Sequence, residues 1–535
     1  MWCMNALLVL YAGNITSHAV QPVVSGKSSL SLALQRARTF PGVGKTMILA
    51  GPSGFSMPAD CQTGDAVIEN REEPWTVKAV LDAIAAGSAG FDFTYFAWAD
   101  CPFLDPGIAG KLAKRHLDYA AEYSYADGWP YGLAPELLSP GTAAILSRLL
   151  GESDGGIAGR DALFSVIQKD INAFDIETEI SSIDLRFHRL SLCADSKRNL
   201  LLLRHFAGFE NGNGQIPDTA GVERIIAEKP EFLRTLPAFF PIQVYGGCPQ
   251  SCQICLYPKT SGLPVIERKD FMETAKFEAL LEKIVDFCSD AVIDISLWGE
   301  AALHPHKIDI ISAVLRRREL SLVIETSGIG WENGELEKIA DIAKDAPPRK
   351  AAFPPALSWI VSLDNCDPAK YREMRGAGFT EANETAKKLL SLFPKNTYVQ
   401  AVRTTGSEED TERFYRYWKE QLSAINAEAA TNIIIQKYDD FCEMLPHMQA
   451  SDLSPVQRKP CWHIMRDMPV LIDGTVLLCR QQICQKENTA IRLGNAFCED
   501  LETIWDRGKQ YYEKHAVSKY DPICVKCDEY YTYNF

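Results

Sequence analysis

Three cysteines stand within eight residues, in the segment Cys248-Pro-Gln-Ser-Cys252-Gln-Ile-Cys255. Thiolates are the soft ligands of iron–sulfur clusters, and three at this spacing can converge on one cluster. Three ligands for a four-iron cluster leave one iron open, so such a site can be reactive and not only structural. A zinc loop would use the same residue type.

The elements that must position these thiols surround them in sequence. A strand pattern over Ile242–Tyr245 leads into the loop, and others follow at Val292–Leu297, Leu322–Ile324, Trp359–Leu363, Tyr398–Val402 and Asn432–Ile435. Helical patterns alternate with them. In the first, Phe277, Leu280, Leu281, Ile284, Val285 and Cys288 share one face. Six βα units predict a parallel sheet, because parallel strands need crossover helices. Six fall short of the eight that close a full barrel. The expected class is α/β, with a central partial (β/α)6 barrel over residues 235–440.

Residues 1–207 form a separate region, with strand patterns Leu7–Tyr11, Met47–Ala50 and Phe91–Trp98 and a helical pattern Trp75–Ala86. The Gly-rich stretch from Gly208 opens a linker expected over residues 208–234. After Tyr438 the alternation stops, and residues 441–535 are rich in Cys and aromatics. A segment of that kind needs a metal staple.

The chain has 535 residues, 55 Lys+Arg against 70 Asp+Glu, and a net charge of −15. Its 46 % hydrophobic and 23 % charged residues are ordinary globular values, which exclude disordered and fibrous classes. The acidic balance argues against a broad nucleic-acid surface, so no nucleic-acid partner is expected. No stretch reaches 18 continuous apolar residues, so no membrane span is expected. Met1–Asn5 lacks a basic n-region, and Ala6–Ala12 reads as a first strand. A cytoplasmic, reducing location is expected, where clustered cysteines read first as metal ligands.

The three-cysteine loop resembles the motif of the radical S-adenosylmethionine (SAM) superfamily. The resemblance implies a 4Fe–4S cluster on Cys248, Cys252 and Cys255 whose open iron binds SAM. Reductive cleavage of SAM would then give methionine and a 5′-deoxyadenosyl radical. Leu297-Trp298-Gly299-Glu300 resembles the family's Gly-Gly-Glu segment, in which the Glu holds the methionine ammonium. Trp298 stands where Gly is usual. Ser362-Leu363-Asp364 and Arg375-Gly376 resemble contacts to the ribose and carboxylate of SAM, and Ile254 matches the apolar position near adenine. The plain alternatives are a strand-end turn for Ser362, a surface Arg375 and a core Ile254. Thr326-Ser327-Gly328 reads as a turn.

Near the C-terminus come Cys461, twelve residues, Gly474, four residues, Cys479, then Cys524-Val-Lys-Cys527. Asp473-Gly474-Thr475-Val476 is a hairpin signal that could bring Cys461 and Cys479 together. The stretch resembles the SPASM domain that follows many radical SAM barrels. The resemblance implies one auxiliary 4Fe–4S cluster on Cys461, Cys479, Cys524 and Cys527, with zinc as the alternative. Cys484 and Cys498 are spare. Cys3, Cys61, Cys101, Cys193, Cys288, Cys366 and Cys442 read as packing thiols.

In the first region, Ala99-Asp100-Cys101-Pro102-Phe103-Leu104-Asp105-Pro106, Trp129–Glu136 and Leu192–Ser196 resemble segments of sugar-nucleotide cytidylyltransferases. The resemblance implies that Asp100 and Asp195 would share Mg2+, a hard cation suited to carboxylates. The Gly13–His18 loop has no Lys or Arg to neutralise a triphosphate unless Lys27 reaches it, and Tyr131 and Ala134 replace acidic residues. A degenerate, non-catalytic nucleotidyltransferase-like domain is therefore expected, with an active cytidylyltransferase as the alternative.

The layout resembles spirochete-type spiro-SPASM proteins. It implies a radical SAM enzyme that abstracts hydrogen from a peptide side chain or a sugar-type substrate. A flavodoxin- or ferredoxin-like donor would supply electrons. The rival is a non-catalytic binding scaffold with structural metal sites.

Overall fold

The computed structural model describes residues 4–51, 56–153, 155–209, 216–257, 270–349, 354–425, 431–451, 454–484 and 490–532, with 483 and 484 described by backbone only. The chain divides into two units, Met1–Thr235 and Leu236–Phe535.

The strands of the first unit's main sheet are, in chain order, β1 (Ala6–Ala12), β2 (Val43–Ala50), β3 (Val67–Asn70), β4 (Phe93–Trp98), β5 (Tyr123–Asp127), β6 (Glu136–Leu138) and β7 (Ile176–Ile180). They lie in the order β3-β2-β1-β4-β6-β5-β7. β6 runs antiparallel to both neighbours, and the other pairs are parallel. β1 is apolar and buried throughout, as a central strand covered on both faces should be. Helix α1 (Val77–Gly87) starts at Thr76, whose hydroxyl caps Ala79 N. Helix α2 (Pro106–Asp118) starts at Asp105 with Pro at its first position, a pre-organised helix entry.

The expected linker is largely part of this unit. Residues 210–215 lie outside the described residues, but α3 (Lys197–Phe209) and α4 (Thr219–Glu228) flank them. Val222, Ile225 and Ile226 of α4 are buried, and Asp218 caps it. Thr219 also donates to Asp105 through both its N–H and its hydroxyl. The Gly-rich text upstream of α4 masked this short apolar face.

His116, 1 % exposed on α2, sits between the hydroxyls of Ser124 (2.8 Å) and Ser139 (3.1 Å). Burial pulls its pKa down to about 4. Between that value and the ordinary 6.5 the unfolded chain binds the extra proton, so stability falls as pH drops through this window. The expected loss is about 3 kcal/mol by pH 4. Thermal unfolding of the full chain from pH 7 to pH 4 should show a shallower decline in His116→Gln. Equal slopes in the two proteins would refute this.

The second unit carries β8 (Phe239–Pro241), β9 (Ala291–Asp294), β10 (Leu320–Thr326), β11 (Leu357–Ser362), β12 (Thr397–Arg403) and β13 (Ile433–Lys437). They pair in sequence order and all in parallel. This is the open six-stranded βα arrangement expected. Its helices include α5 (Thr274–Cys288), α6 (Lys307–Leu315), α7 (Glu335–Asp345), α8 (Pro368–Arg375), α9 (Phe379–Leu392) and α10 (Glu408–Ile425). In α5, Phe277, Leu280, Leu281, Ile284 and Cys288 are buried, the face read from their spacing.

The first strand lies earlier than its sequence pattern. After Pro241 the chain changes partners: Ile242 bridges Val470, Gln243 bridges Ser296 and Tyr245 bridges Phe271. The C-terminal segment runs alongside β8. Ala238 N donates to Arg466 O, Met468 N to Phe239 O, and Gln243 N to Val470 O. The hairpin predicted at Asp473-Gly474 follows, with Val470 bridged to Val476. Then β14 (Thr475–Leu477) pairs antiparallel with β15 (Arg492–Asn495). Lys283 of α5 donates to the carbonyls of Ala496 and Glu499. Thus residues 441–535 are not a free-standing third body. An open half-barrel leaves a strand edge unpaired, and the C-terminal segment satisfies it.

Candidate metal centres

The three-cysteine loop leaves the sheet at the C-terminal end of β8. It rests on an apolar cluster that includes Leu256, Tyr257, Leu297, Trp298, Tyr438, Leu445, Leu471 and Leu477, with Cys248, Ile254 and Cys255 packed against it. Ile254 is therefore a half-buried packing residue beside the thiols. Backbone hydrogen bonds pin the loop on two sides. Gly247 O accepts the N–H of Glu300 (2.7 Å). On the other side, Gln253 N donates to Met374 O (2.8 Å).

Glu300 is 3 % exposed. Its Oε1 accepts from Thr326 Oγ1 (2.7 Å) and Ala302 N (3.3 Å); its Oε2 accepts from Ser327 N and Oγ (both 2.7 Å). Burial pushes its carboxyl up, and these bonds oppose the shift. Thr326 and Ser327, which read as a turn, are its cradle. Trp298 takes φ +48°, the left-handed conformation that Gly adopts freely. Its ring meets Phe441 at 5.3 Å and its carbonyl accepts from Gln243, which hold that backbone in place.

Arg375, the last residue of α8, is 7 % exposed. Its Nε pairs with Asp364, and its Nη1 donates to Gln250 Oε1 (3.0 Å). Gln250 also donates to the Tyr371 hydroxyl (2.6 Å), and Cys252 Sγ approaches Gln250 Oε1 at 3.7 Å. Arg375 is thus a buried clamp on the cysteine loop. Burial pushes the Cys252 thiol up and the Arg375 charge pulls it back down. Ser362 donates to Glu325 Oε1 (2.7 Å), and Gln400 donates to both Glu325 and Ser362. Glu325, Gln400 and Gln250 have no sequence signal beyond their places at strand ends or next to the cysteines. Burial pushes Asp294, at the end of β9, up to about 7.

The second centre is a cavity lined by Cys442, Cys461, Cys479, Cys524, Cys527, His515 and Arg480, among others. Cys461 precedes helix α11 (Trp462–Arg466), and N–H groups of His463 and Ile464 point at its sulfur. Cys524 lies on α12 (Pro522–Lys526). Burial pushes Cys479 well up, and the neighbouring Cys524, Cys461 and Cys527 push it further. Four thiols so placed can ionise together only when cations neutralise them. His515 is 2 % exposed, and both its ring nitrogens lack a partner among the described residues. An acceptor bound in the cavity would pair with one.

Among the described residues, the groups of three or more His, Cys, Asp or Glu ligand atoms within 4.8 Å of one another are Asp100–Cys101–Cys193 and Asp439–Asp440–Asp528. Cys484 lies outside the described side chains, and Cys498 is exposed.

In the first unit the structure brings Asp100 and Asp195 together around a side chain. Arg160 donates to both oxygens of Asp100 (2.8 and 2.5 Å) and lies 3.5 Å from Asp195. Its guanidinium covers Trp98 at 4.1 Å, and Asn199 holds Asp195 (2.8 Å). A built-in cation stands between the carboxylates, so these residues as folded do not fit Mg2+. Lys27 is bonded to Gln35. Trp75 packs over Gly13, where an added Cβ would lie 2.2 Å from its ring. Cys101 and Cys193 form a buried thiol pair at 3.4 Å. Arg160→Ala strips the fully buried Asp100 carboxylate of its counter-charge, which costs about 3 kcal/mol. Mg2+ should raise the Tm of that variant and leave the parent unmoved. A parent that Mg2+ stabilises would overturn this.

A family model for the SPASM iron–sulfur cluster-binding domain matches residues 461–528. The open parallel sheet, the cysteine loop at its first strand and this iron–sulfur cluster-binding segment all belong to the second unit. The chain belongs to the family of an "Uncharacterized protein" of Treponema pallidum (strain Nichols). The two are 34 % identical over 381 residues, 70 % of this chain and 98 % of that protein. Three solved structures are similar. BtrN in complex with AdoMet and 2-DOIA is 13 % identical (52 % of this chain, 87 % of that one, TM-score 0.35). Streptococcus suis SuiB bound to precursor peptide SuiA is 14 % identical (69 % and 84 %, TM-score 0.37). A cytidylyltransferase from Leptospira borgpetersenii serovar Hardjo-bovis (strain JB197) is 13 % identical (44 % and 97 %, TM-score 0.36). Among the described residues no helix is long and apolar enough to cross a membrane.

Proposed function

We propose that the chain is a radical SAM enzyme. Cys248, Cys252 and Cys255 would hold a 4Fe–4S cluster that binds SAM, and Cys461, Cys479, Cys524 and Cys527 an auxiliary 4Fe–4S cluster. The observation that carries this reading is the placement of three clamped thiols at the mouth of the first strand of an open six-stranded parallel sheet. A cluster held there by Cys248, Cys252 and Cys255 would supply the electron for reductive cleavage of SAM.

The chain's own residues prepare that site. Gly247 and Met374 fix the loop from two sides. Arg375 puts a buried positive charge beside Cys252, which favours its thiolate. Glu300 offers a buried carboxylate to the SAM ammonium, in exchange for part of its Thr326–Ser327 cradle. Ser362, with Gln400 and Glu325, offers polar atoms to the ribose. Asp294, Glu325 and Arg480 interact with one another through charge, which suits a polar substrate, a peptide side chain or a sugar-type molecule. The electron donor is a flavodoxin- or ferredoxin-like protein of a reducing cytoplasm. In the first unit the Arg160 plug supports a non-catalytic, ligand-binding role for the nucleotidyltransferase-like fold.

The test is anaerobic reconstitution with iron and sulfide, then reduction with SAM present. 5′-Deoxyadenosine and methionine should form, and about eight irons should bind per chain. No 5′-deoxyadenosine refutes the enzyme; about four irons with one zinc refutes the auxiliary cluster.

A further inference from the structure

The C-terminal cavity holds one sulfur more than a four-iron cluster needs. Cys442 lines it together with Cys461, Cys479, Cys524 and Cys527. It is 7 % exposed, and its thiol interacts with that of Cys527. It comes from a separate segment, upstream of the residues 461–528 that the SPASM domain covers.

The backbone makes an unusual turn to bring it there. Phe441, Cys442 and Glu443 have φ of 52°, 61° and 68°. Three consecutive left-handed residues, none of them glycine, resist the ordinary preference of L-residues. Neighbours hold the turn: Asp439 accepts from Phe441 N (2.8 Å) and Asp440 from Glu443 N (3.0 Å). The Phe441 ring lies against Trp298. Strain that the surroundings over-determine is found where a side chain must be presented to a ligand. Here the side chain presented is a thiol, into a cavity of thiols.

We propose that Cys442 and Cys527 are alternative sulfur ligands to one corner of the auxiliary cluster. The proposal rests on the reading that this cavity holds a 4Fe–4S cluster. Cys527 is the partner because it touches Cys442 and is less buried than Cys461 or Cys524. In the exchange one iron–sulfur bond forms to Cys442 as the bond to Cys527 breaks. The Cys442 proton passes to the released Cys527 sulfur. Four thiolates remain on the cluster, and no oxidant or reductant is consumed.

The experiment uses the full chain with Cys248, Cys252 and Cys255 replaced by Ala, so that bound iron reports the auxiliary site alone. This parent should bind about four irons. Adding Cys527→Ala should leave about four irons with a changed EPR spectrum of the reduced cluster. Cys442→Ala should also keep them, and the double variant should lose more than half. If Cys527→Ala loses iron as the double variant does, or if the double variant keeps it, the exchange is wrong. A parent that binds no iron overturns the cluster reading itself, and the exchange with it. A second readout needs no substitution. In the metal-free natural chain, the dithiol oxidant diamide should join Cys442 to Cys527, seen as a crosslinked peptide by mass spectrometry. Absence of that crosslink also overturns the proposal.

Discussion

Replacing Cys252 with alanine should abolish 5′-deoxyadenosine formation and remove about four of roughly eight irons per chain. Cys252 is the middle thiol of the loop and, at 8 % exposure, the most buried of the three. Two thiolates do not hold a cluster that needs three. The neighbouring charges are set for a thiolate: Arg375 faces Cys252 across Gln250. The C-terminal cysteines lie on other segments and should keep their iron, so the loss should stop near half. Cys498→Ser, at an exposed position, serves as the control and should change neither quantity. Full activity in Cys252→Ala would sink the assignment of the loop. Loss of all iron would show that the two centres do not load independently.

Gly299→Ala should be nearly as damaging, by a different route. A Cβ on Gly299 would lie 1.8 Å from the carbonyl oxygen of Tyr245. That neighbour is backbone, and it belongs to the segment that leads from β8 into the cysteine loop. It cannot swing aside as a side-chain tip could, so Tyr245–Gly247 or Trp298–Glu300 must move. The Gly247–Glu300 hydrogen bond would be lost with the move. The expected cost is about 3 kcal/mol or more, the range of strained or overpacked core sites. A lower Tm should be accompanied by loss of 5′-deoxyadenosine. Iron at the auxiliary site should persist. A variant with unchanged Tm and turnover would show that the two segments do not approach this closely.

Much of the second unit was legible in the sequence. Parallel strands that are buried on both faces are short apolar runs, and crossover helices carry a one-sided apolar face. Both are local patterns. Leu322–Ile324, within β10, and the face of α5 therefore stood out from neighbouring residues alone. The first strand was misplaced because Ile242 bridges Val470, more than 200 residues away, and Gln243 bridges Ser296. Their apolar pattern reflects that partner and not the sheet ladder. The linker was misjudged because Gly and Asn upstream of α4 outweighed its short apolar face.

The cysteine spacing by itself determined which residues could meet at each centre, because eight residues of loop, or a hairpin and a CxxC pair, can bring sulfurs together with little help. The tertiary structure decided everything that depends on distant groups. It set Arg375 behind Cys252, surrounded Glu300 with Thr326 and Ser327, and brought Cys442 to Cys527. It also placed Arg160 between Asp100 and Asp195, where sequence similarity pointed to a metal ion. Charge and burial act through space, and a lone Arg or Cys in the sequence carries no mark of the carboxylate or thiol that folding will set beside it.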